Sequence, residues 1–272
     1  MDGFYELEPE RYPALRRFAE ESAGEKEYYL SLLEGRQRGR VFGDDPRDPG
    51  AVLFWHYAGY GYVAGKPDAG FLGQVLEMVR QTHPCFTGDT WLQGRFILQQ
   101  DDPGGLAEAA GVAQSARLCF TLDGPVRTTP SLPEGFTLQP VDAALLPLLR
   151  GEVTPAFSWH SGEAFLRGGQ AVCVLKGREP AAWAFSGAVG GGRMDIGVET
   201  AADYRGRGLA SAAASALAER ALAQGFKPVW GCDQSNRASA ATAARIGFRM
   251  ALRHGKFKRD MSSADGAAPR KI

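Results

Sequence analysis

Apolar residues recur along the chain with two different periods, and these periods predict alternating helices and strands. Helical spacing of apolar positions extends over residues 4–38 and 71–81, and a long run rich in small residues covers 208–224. Short runs rich in β-branched and aromatic residues, bounded by Gly and Pro, predict strands between them. The pattern therefore predicts a chain of the α/β class.

The elements follow one another closely from residue 4 to residue 259. The predicted strands are 51–57, 59–64, 94–100, 116–122, 136–140, 171–176, 180–189, 193–200, 228–233 and 248–259. The predicted helices are 4–38, 71–81, 106–113, 141–150, 208–224 and 236–246. Residues 123–135 contain three prolines and two glycines, which is typical of a linker. We expect one domain over 1–130, a second over 131–260 and a disordered tail over 261–272.

Composition limits the classes of function. The 272 residues are 44% hydrophobic, enough for one or two cores, and 31 basic residues balance 31 acidic ones. A net charge of zero argues against a polybasic nucleic-acid binder. The four cysteines and four histidines are dispersed without zinc-site spacing, so no metal site is expected. The absence of an apolar leader or spanning segment predicts a cytoplasmic protein without a membrane partner.

The segment between the strand 193–200 and the helix 208–224 carries the clearest chemistry. Arg205, Gly206, Arg207 and Gly208 form a glycine-rich turn that opens the helix. Glycines let a ligand approach the main chain, and the first helical turn offers amide N–H groups without intrahelical partners. Together with the helix dipole and two arginines, these amides would attract an anion such as a pyrophosphate.

The same turn lacks the residues of two common nucleotide sites. It contains neither the GxGxxG fingerprint of dinucleotide-binding folds nor the lysine of a P-loop. Taken alone, it is more often an ordinary strand-to-helix turn. The next segments add to it, because the strand 228–233 leads to Asn236 as a candidate N-cap and Gly247 ends the following helix.

In combination these residues resemble the GNAT (Gcn5-related N-acetyltransferase) superfamily. YRGRGLA resembles the loop that binds the acetyl-CoA pyrophosphate, and NRASAATAARIGF resembles the second family signature. The resemblance is firm over 193–248 and extends from 136 to the end of the last strand. It implies a GNAT fold with a mixed central sheet flanked by helices, and acetyl-CoA as co-substrate. The first half, without such a loop, would be a degenerate GNAT-like unit.

The resemblance also implies roles for individual residues. Main-chain amides of the loop would hold the pyrophosphate, at Arg205, Gly206, Arg207, Gly208, Leu209 and Ala210. The pantetheine arm would bond to the backbone of Val198 and Thr200. Asn236 would lie beside the pantetheine or the thioester, and Ser239, one helical turn further, would face the same side.

Two positions depart from the family pattern. Asp203 stands where the loop usually begins with Gln or Arg. Ala243 stands where many members carry a Tyr that protonates the leaving thiolate, and Ser239, Cys232 and Tyr204 remain alternative proton donors. A Trp-x-Cys strand before Asn236, with Ala in place of the Tyr, also resembles acetyltransferases related to zwittermicin A resistance.

Acetyl transfer to an amine needs a general base for the attacking nitrogen. Glu199 lies on the strand beside the expected cofactor, and Asp195 lies on the same face of that strand by its two-residue period. Glu152 and His160 lie where the family builds its acceptor pocket. The alternative is that Glu199 is a solvated residue at a strand end and that His160 is a surface residue.

The sequence therefore predicts an enzyme that transfers an acetyl group from acetyl-CoA to a primary amine of a small molecule. Attack would be direct, within a ternary complex. An acyl-cysteine intermediate at Cys173 or Cys232 is disfavoured because no His is close in sequence to either. A non-catalytic acyl-CoA-binding module and a GNAT-like binding protein for an amine or peptide are the alternatives. The arginine-rich, alanine-rich composition is typical of a bacterial protein from a GC-rich genome.

Overall fold

A computed structural model describes residues 3–80, 83, 96–102 and 105–258 of the chain. Twelve strands lie in one sheet in this part of the chain, in the order β1-β2-β3-β4-β5-β12-β6-β11-β10-β9-β8-β7. The strands are β1 Tyr5–Glu6, β2 Gly39–Gly43, β3 Ala51–His56, β4 Tyr60–Gly65, β5 Ile97–Leu98, β6 Gln114–Thr121, β7 Phe136–Pro140, β8 Ala171–Lys176, β9 Glu179–Gly190, β10 Arg193–Thr200, β11 Lys227–Asp233 and β12 Arg249–Lys258. The helices are α1 Arg16–Glu21, α2 Lys26–Leu33, α3 Ala69–Arg80, α4 Leu106–Ala110, α5 Gly162–Gly168, α6 Leu209–Ala223 and α7 Arg237–Ile246.

The two halves of the chain repeat one arrangement. In the first half, β2, β3 and β4 are antiparallel neighbours, and β5 lies parallel to β4 after the helix α3. In the second half, β8, β9 and β10 are antiparallel, and β11 lies parallel to β10 after the helix α6. A mixed sheet flanked by helices, with a repeated first half, is the predicted fold class.

The halves exchange their last strands. β6, which ends the first half, pairs with β11 and β12 of the second half, whereas β12 also pairs with β5 of the first half. The sheet therefore crosses the predicted boundary at residue 130 three times, between β5 and β12, between β12 and β6, and between β6 and β11. The division into domains 1–130 and 131–260 stays a prediction, and each part contributes a strand to the sheet of the other.

A gap opens between two parallel strands in the second half. β10 and β11 pair only from Arg193↔Lys227 to Asp195↔Val229, and then both strands continue without pairing to each other. A register shift between Met194 and Ile196 in the pairing with β9 places a bulge at the same level. Small residues of α6, including the fully buried Ala213 and Ala214, let this helix approach the sheet closely.

Several predicted elements differ from the structure. Residues 4–38 are not one helix: they form β1, a 3₁₀ turn over Pro9–Leu15, and the two short helices α1 and α2. Pro13 lies inside the 3₁₀ turn, and a proline cannot donate a helical hydrogen bond. Residues 141–150 form only the 3₁₀ turn Leu146–Leu148 around a proline. The tail 261–272 lies outside the described residues.

None of the helices that the structure describes has the length and apolar content needed to cross a bilayer. The cytoplasmic location stays a prediction.

Candidate active site

The glycine-rich turn forms one wall of an open cleft. Gly206 and Gly208 have φ angles of +76° and +75°, the left-handed region that glycine occupies without strain. A Cβ atom built at either glycine would meet no atom within 4 Å, so the main chain is open to a ligand. Among the described residues, no side chain caps the N-terminus of α6. Its first amide N–H groups are therefore available to an anion.

The corresponding junction in the first half is closed. Asp68 accepts a hydrogen bond from the backbone N–H of Phe71 at 2.8 Å, so a carboxylate already occupies the N-terminus of α3. A second anion would be repelled there. This difference fits a first half that keeps the fold without the anion site.

The cleft, which we call the loop cleft, has a volume of about 600 Å³. The predicted residues Val198, Thr200, Arg205, Gly206, Arg207, Gly208, Leu209, Ala210, Asn236 and Ser239 all line it. Arg245 of α7 adds a third arginine to the two of the turn, and its guanidinium lies 3.4 Å from the Ser211 hydroxyl. Arg245 follows the turn by almost forty residues in sequence, so only the packing of α7 beside α6 reveals it.

A second cavity, the central cavity, lies where β10 and β11 diverge. It has a volume of about 500 Å³ and is lined from both halves, with Tyr28 and Tyr60 from the first half and Asp195 and Trp230 from the second. The loop cleft and the central cavity share three lining residues, Val198, Asn236 and Ser239. A ligand extended along the loop cleft would therefore reach the central cavity at these residues.

Side chains at this junction are held by hydrogen bonds. The Asn236 carboxamide oxygen accepts from the backbone N–H of Ser239 at 3.0 Å and so caps α7, as predicted. The indole N–H of Trp230 donates to the Ser239 hydroxyl at 3.0 Å. Cys232 lines the central cavity nearby, and burial raises the pKa of its thiol. Ser239 is thus fixed at the point where the two spaces meet.

Asp195 lies at the bulge of β10, at the end of its pairing with β11. Its carboxylate accepts a hydrogen bond from the Tyr28 hydroxyl at 2.8 Å, and the residue is 7% exposed. Burial, followed by the negative charges of Glu27 and Glu25, raises the pKa of Asp195 from 3.8 to about 8. A carboxyl group with a pKa near neutrality, lining a cavity, is suited to proton transfer.

Glu199 lies on the same strand but has different contacts. Its carboxylate oxygens accept from the backbone N–H groups of Val153 at 2.7 Å and Glu152 at 3.3 Å. The indole of Trp183 donates to the Val153 carbonyl at 2.8 Å. Glu199 borders the loop cleft, and Val153 lines the central cavity. Glu199 therefore holds the loop that forms one wall of that cavity.

Two other predicted side chains are engaged elsewhere. The Tyr204 hydroxyl donates to the Glu179 carboxylate at 2.7 Å, which raises the pKa of Tyr204. The His160 ring packs edge-on against Tyr57 outside the residues that line the central cavity, and burial lowers its pKa. Ala243 is fully buried in the core of the second half.

The sequence did not point to a charged network that borders the cavity. Arg117 of β6 donates from Nε to Glu25 at 2.8 Å and from Nη1 to Asp233 at 3.3 Å, and Lys256 of β12 bonds to the same Asp233 oxygen at 2.5 Å. Because β6 and β12 are the exchanged strands, this network joins the halves. Nothing in the local pattern around Arg117 marks it as buried.

Glu25 also takes part in a compact group of potential metal ligands with Cys119 and His254, all buried. The three residues are distant in sequence, which is why spacing alone did not bring them together. Arg117 occupies both carboxylate oxygens of Glu25, so a cation there would lie beside a guanidinium.

Comparison with known proteins decides the family. The model of the GNAT acetyltransferase family matches residues 17–254. The chain belongs to the GNAT acetyltransferase family. It is therefore an acyltransferase enzyme, as the glycine-rich turn and the Asn236 helix predicted.

Individual relatives extend over nearly the whole chain. An uncharacterized N-acetyltransferase, YdfB, of Bacillus subtilis (strain 168) is 24% identical over 92% of this chain and 96% of its own. A GCN5-related N-acetyltransferase-like protein from Streptococcus suis 89/1591 has a TM-score of 0.70 at 22% identity, over 92% of this chain and 98% of its own. A tandem GNAT protein from the clavulanic acid biosynthesis pathway has a TM-score of 0.58 at 12% identity, over 96% and 99%. These structures share the fold, and the resemblance to zwittermicin A resistance acetyltransferases stays a prediction.

Proposed function

We propose that this protein transfers the acetyl group of acetyl-CoA to a primary amine of a small molecule by direct attack in a ternary complex. One observation carries the proposal: the loop cleft and the central cavity meet at Val198, Asn236 and Ser239. The pyrophosphate would bind the amides of the turn and the three arginines. The thioester would then lie at the junction, with the amine in the central cavity. A space of about 500 Å³ suits a small molecule.

Asp195 would accept the proton of the amine. Burial and the negative charges of Glu27 and Glu25 raise the pKa of this carboxyl, and an entering ammonium group would offset those charges. Proton transfer would then leave a neutral amine beside the thioester. The nitrogen would attack the thioester carbonyl and the C–S bond would break. The second proton lost by the nitrogen would pass to the departing thiolate, which gives the amide and the CoA thiol. The Tyr28 hydrogen bond fixes the carboxylate in place through this sequence. Glu199 would act as a positioning residue for the wall at Val153.

The departing thiolate would be stabilised from the other side of the junction. Ala243 cannot donate a proton, and Tyr204 is bonded to Glu179. The Ser239 hydroxyl lies at the junction and accepts from the Trp230 indole. Its O–H bonds to the Cys232 thiol and could turn to the thiolate sulfur when the cofactor is bound. We therefore propose Ser239 as the hydrogen-bond donor to the departing thiolate.

A non-catalytic acyl-CoA-binding module is the second candidate. The buried Ala243, where many family members carry a tyrosine acid, favours it. The two candidates differ in one measurable step, because only the enzyme releases CoA thiol in the presence of an amine.

The first experiment is a calorimetric titration of acetyl-CoA into the wild type, Gly206→Glu and Gly225→Glu. Gly206 and Gly225 are both exposed, with φ of +76° and +79° and open space around a built Cβ, so the backbone strain of the two variants is matched. Only Gly206 lies in the loop cleft. We expect Gly206→Glu to abolish binding and Gly225→Glu to retain it. Equal affinities in all three proteins would contradict the proposed cofactor site.

The second step is a screen of primary amines for the release of CoA thiol. The enzymatic function is supported if the wild type and Gly225→Glu turn over at least one amine and Gly206→Glu does not. Tight acetyl-CoA binding without turnover of any amine would favour the binding module.

A further inference from the structure

Gln99 is a buried polar side chain without a partner. It follows β5 in the first half, is 2% exposed and lines the central cavity. Among the described residues, neither its carboxamide oxygen nor its carboxamide nitrogen has a hydrogen-bond partner. Its main chain is fixed, because the backbone N–H of Gln99 donates to the Gly61 carbonyl at 2.9 Å. The side chain is therefore held at the cavity by a rigid backbone.

The neighbouring glutamine shows the contrast. The Gln100 carboxamide oxygen accepts from the backbone N–H of Val63 at 2.6 Å, a structural bond across the sheet. A buried polar group that makes no hydrogen bond costs free energy, and such groups are rare in folded proteins. Two unmade bonds on one carboxamide that lines a cavity point to a ligand that completes them.

The chemistry of the missing partner follows from the carboxamide itself. The nitrogen is a donor and the oxygen is an acceptor, so the partner must offer an acceptor and a donor side by side. An amide group, with its own C=O and N–H, bonds to both atoms at once. A hydroxyl group has a single oxygen, so it does not offer a donor and an acceptor side by side to the carboxamide oxygen and nitrogen. An ester offers acceptors but no donor.

The charges around the cavity favour a neutral partner at this position. Arg117 is bonded to Glu25 and Asp233, and Lys256 is bonded to Asp233, so the cations that line the cavity are already neutralised by carboxylates. A carboxylate on the ligand would have to displace one of these pairs. A neutral amide needs no such exchange.

We propose that Gln99 is a specificity-determining residue that binds a neutral amide group of the acceptor, so that the acceptor is an amine carrying a carboxamide or peptide amide. This inference rests on the proposed function, since it assigns the acceptor to the central cavity. Asp195 would receive the amine end and Gln99 the amide end. The first half of the chain thereby supplies recognition, and the second half supplies the cofactor site.

The test compares matched acceptors in matched variants. The probes are glycinamide, β-alaninamide and 4-aminobutanamide, each against the methyl ester of the corresponding amino acid. The proteins are the wild type, Gln99→Leu, which removes both polar atoms, and Gln224→Leu, an exposed glutamine outside both cavities. The readouts are kcat/KM from thiol release and Kd for each probe with the CoA complex. Binding is followed by the intrinsic tryptophan fluorescence, to which Trp230 in the cavity wall contributes.

For at least one chain length, the wild type and Gln224→Leu should prefer the amide over the ester by about tenfold, the effect of one to two neutral hydrogen bonds. Gln99→Leu should reduce this preference to about twofold or less. The melting temperature of Gln99→Leu should equal or exceed that of the wild type, because the substitution removes an unpaired polar group. If Gln99 had a structural role instead, the substitution would lower the melting temperature. Equal use of amides and esters by the wild type, or a preference that persists in Gln99→Leu, would overturn the proposal.

Failure of the proposed function gives a different result. If no probe releases thiol, the Kd values still test the role of Gln99. The wild type would then bind amides more tightly than esters, and Gln99→Leu would not, which supports Gln99 as the recognition residue of a binding protein. If no amide binds more tightly than its ester, the inference about Gln99 is wrong irrespective of catalysis.

Discussion

Replacement of Asp195 by Asn tests the central step of the proposed chemistry. The change removes the titratable group and keeps an oxygen that can accept the Tyr28 hydrogen bond. If Asp195 accepts the amine proton, kcat/KM should fall by about 10²- to 10⁴-fold, the usual contribution of a general base. The wild-type kcat/KM should rise with pH with an apparent pKa of about 8, the value to which burial and neighbouring carboxylates raise this group.

The same variant has a predictable effect on stability, with a definite sign. The carboxyl pKa is raised from 3.8 to about 8 on folding, so the folded state holds the proton more tightly than the unfolded state. This stabilisation is fully present below about pH 4 and is lost as the pH rises to about 8. A difference of about four pKa units corresponds to a change of about 5 kcal/mol at most in the free energy of unfolding, at about 1.36 kcal/mol per pKa unit. The Asp195→Asn variant has no carboxyl group at this position, so its stability should lack this decline.

The assay combines pH–rate profiles with urea unfolding at about pH 5 and about pH 9. The acceptor for the profiles is a weakly basic amine that is neutral throughout the range, so that only the enzyme titrates. Glu199→Gln serves as the matched control: it removes the other carboxylate of the strand and should keep the pH profile. Retention of activity and of the pH profile in Asp195→Asn, or their loss in Glu199→Gln alone, would refute the assignment of the base.

Three further changes test the surroundings of this carboxylate and the junction. Gly187→Ala should reduce kcat/KM by at least about tenfold and leave the affinity for acetyl-CoA unchanged. The reason is that a Cβ at this position would lie 2.4 Å from the Asp195 carboxylate and 2.9 Å from the Tyr28 hydroxyl. Steady-state rates measure the loss of kcat/KM, and calorimetry measures the acetyl-CoA affinity. Ser239→Ala should lower kcat by about tenfold or more and change the unfolding free energy by no more than about 1 kcal/mol. An unchanged kcat would exclude Ser239 as the hydrogen-bond donor to the thiolate. Arg117→Met should cost about 3–5 kcal/mol of unfolding free energy, since it removes the guanidinium that bonds to both carboxylate oxygens of the buried Glu25. Urea unfolding of a double variant with Glu25→Gln should show that part of this loss is recovered.

The cofactor side of the site was predictable from the sequence because it is local. Arg205 to Ala210 and Asn236 are joined by short, regular elements whose caps and glycines fix the backbone directly. Gly206 and Gly208 have the left-handed φ that the turn requires, and Asn236 caps its helix. Such features depend on a few neighbouring residues, so a pattern of residue types is enough to find them.

The acceptor side was not predictable in the same way, because it is assembled over long separations. Tyr28 bonds to Asp195 from 167 residues away, and Arg117 bonds to Asp233 from 116 residues away. The period of two that placed Asp195 and Glu199 on one face gave no information about which backbone amides would bond to Glu199. That assignment depends on the loop at residues 152–153, for which no periodicity exists.

The exchange of the last strands explains why both halves are needed for one site. β6 lies beside β11, at the gap where β10 and β11 diverge, and it carries Arg117 to the cavity wall. β12 lies between β6 and β5 and brings Lys256 to the same wall, next to the segment that holds Gln99. Because of this exchange, Arg117 of the first half and Lys256 of the second both bond to Asp233. The first half has no anion site of its own at α3, yet its residues Tyr28, Tyr60 and Gln99 line the cavity that would hold the acceptor amine.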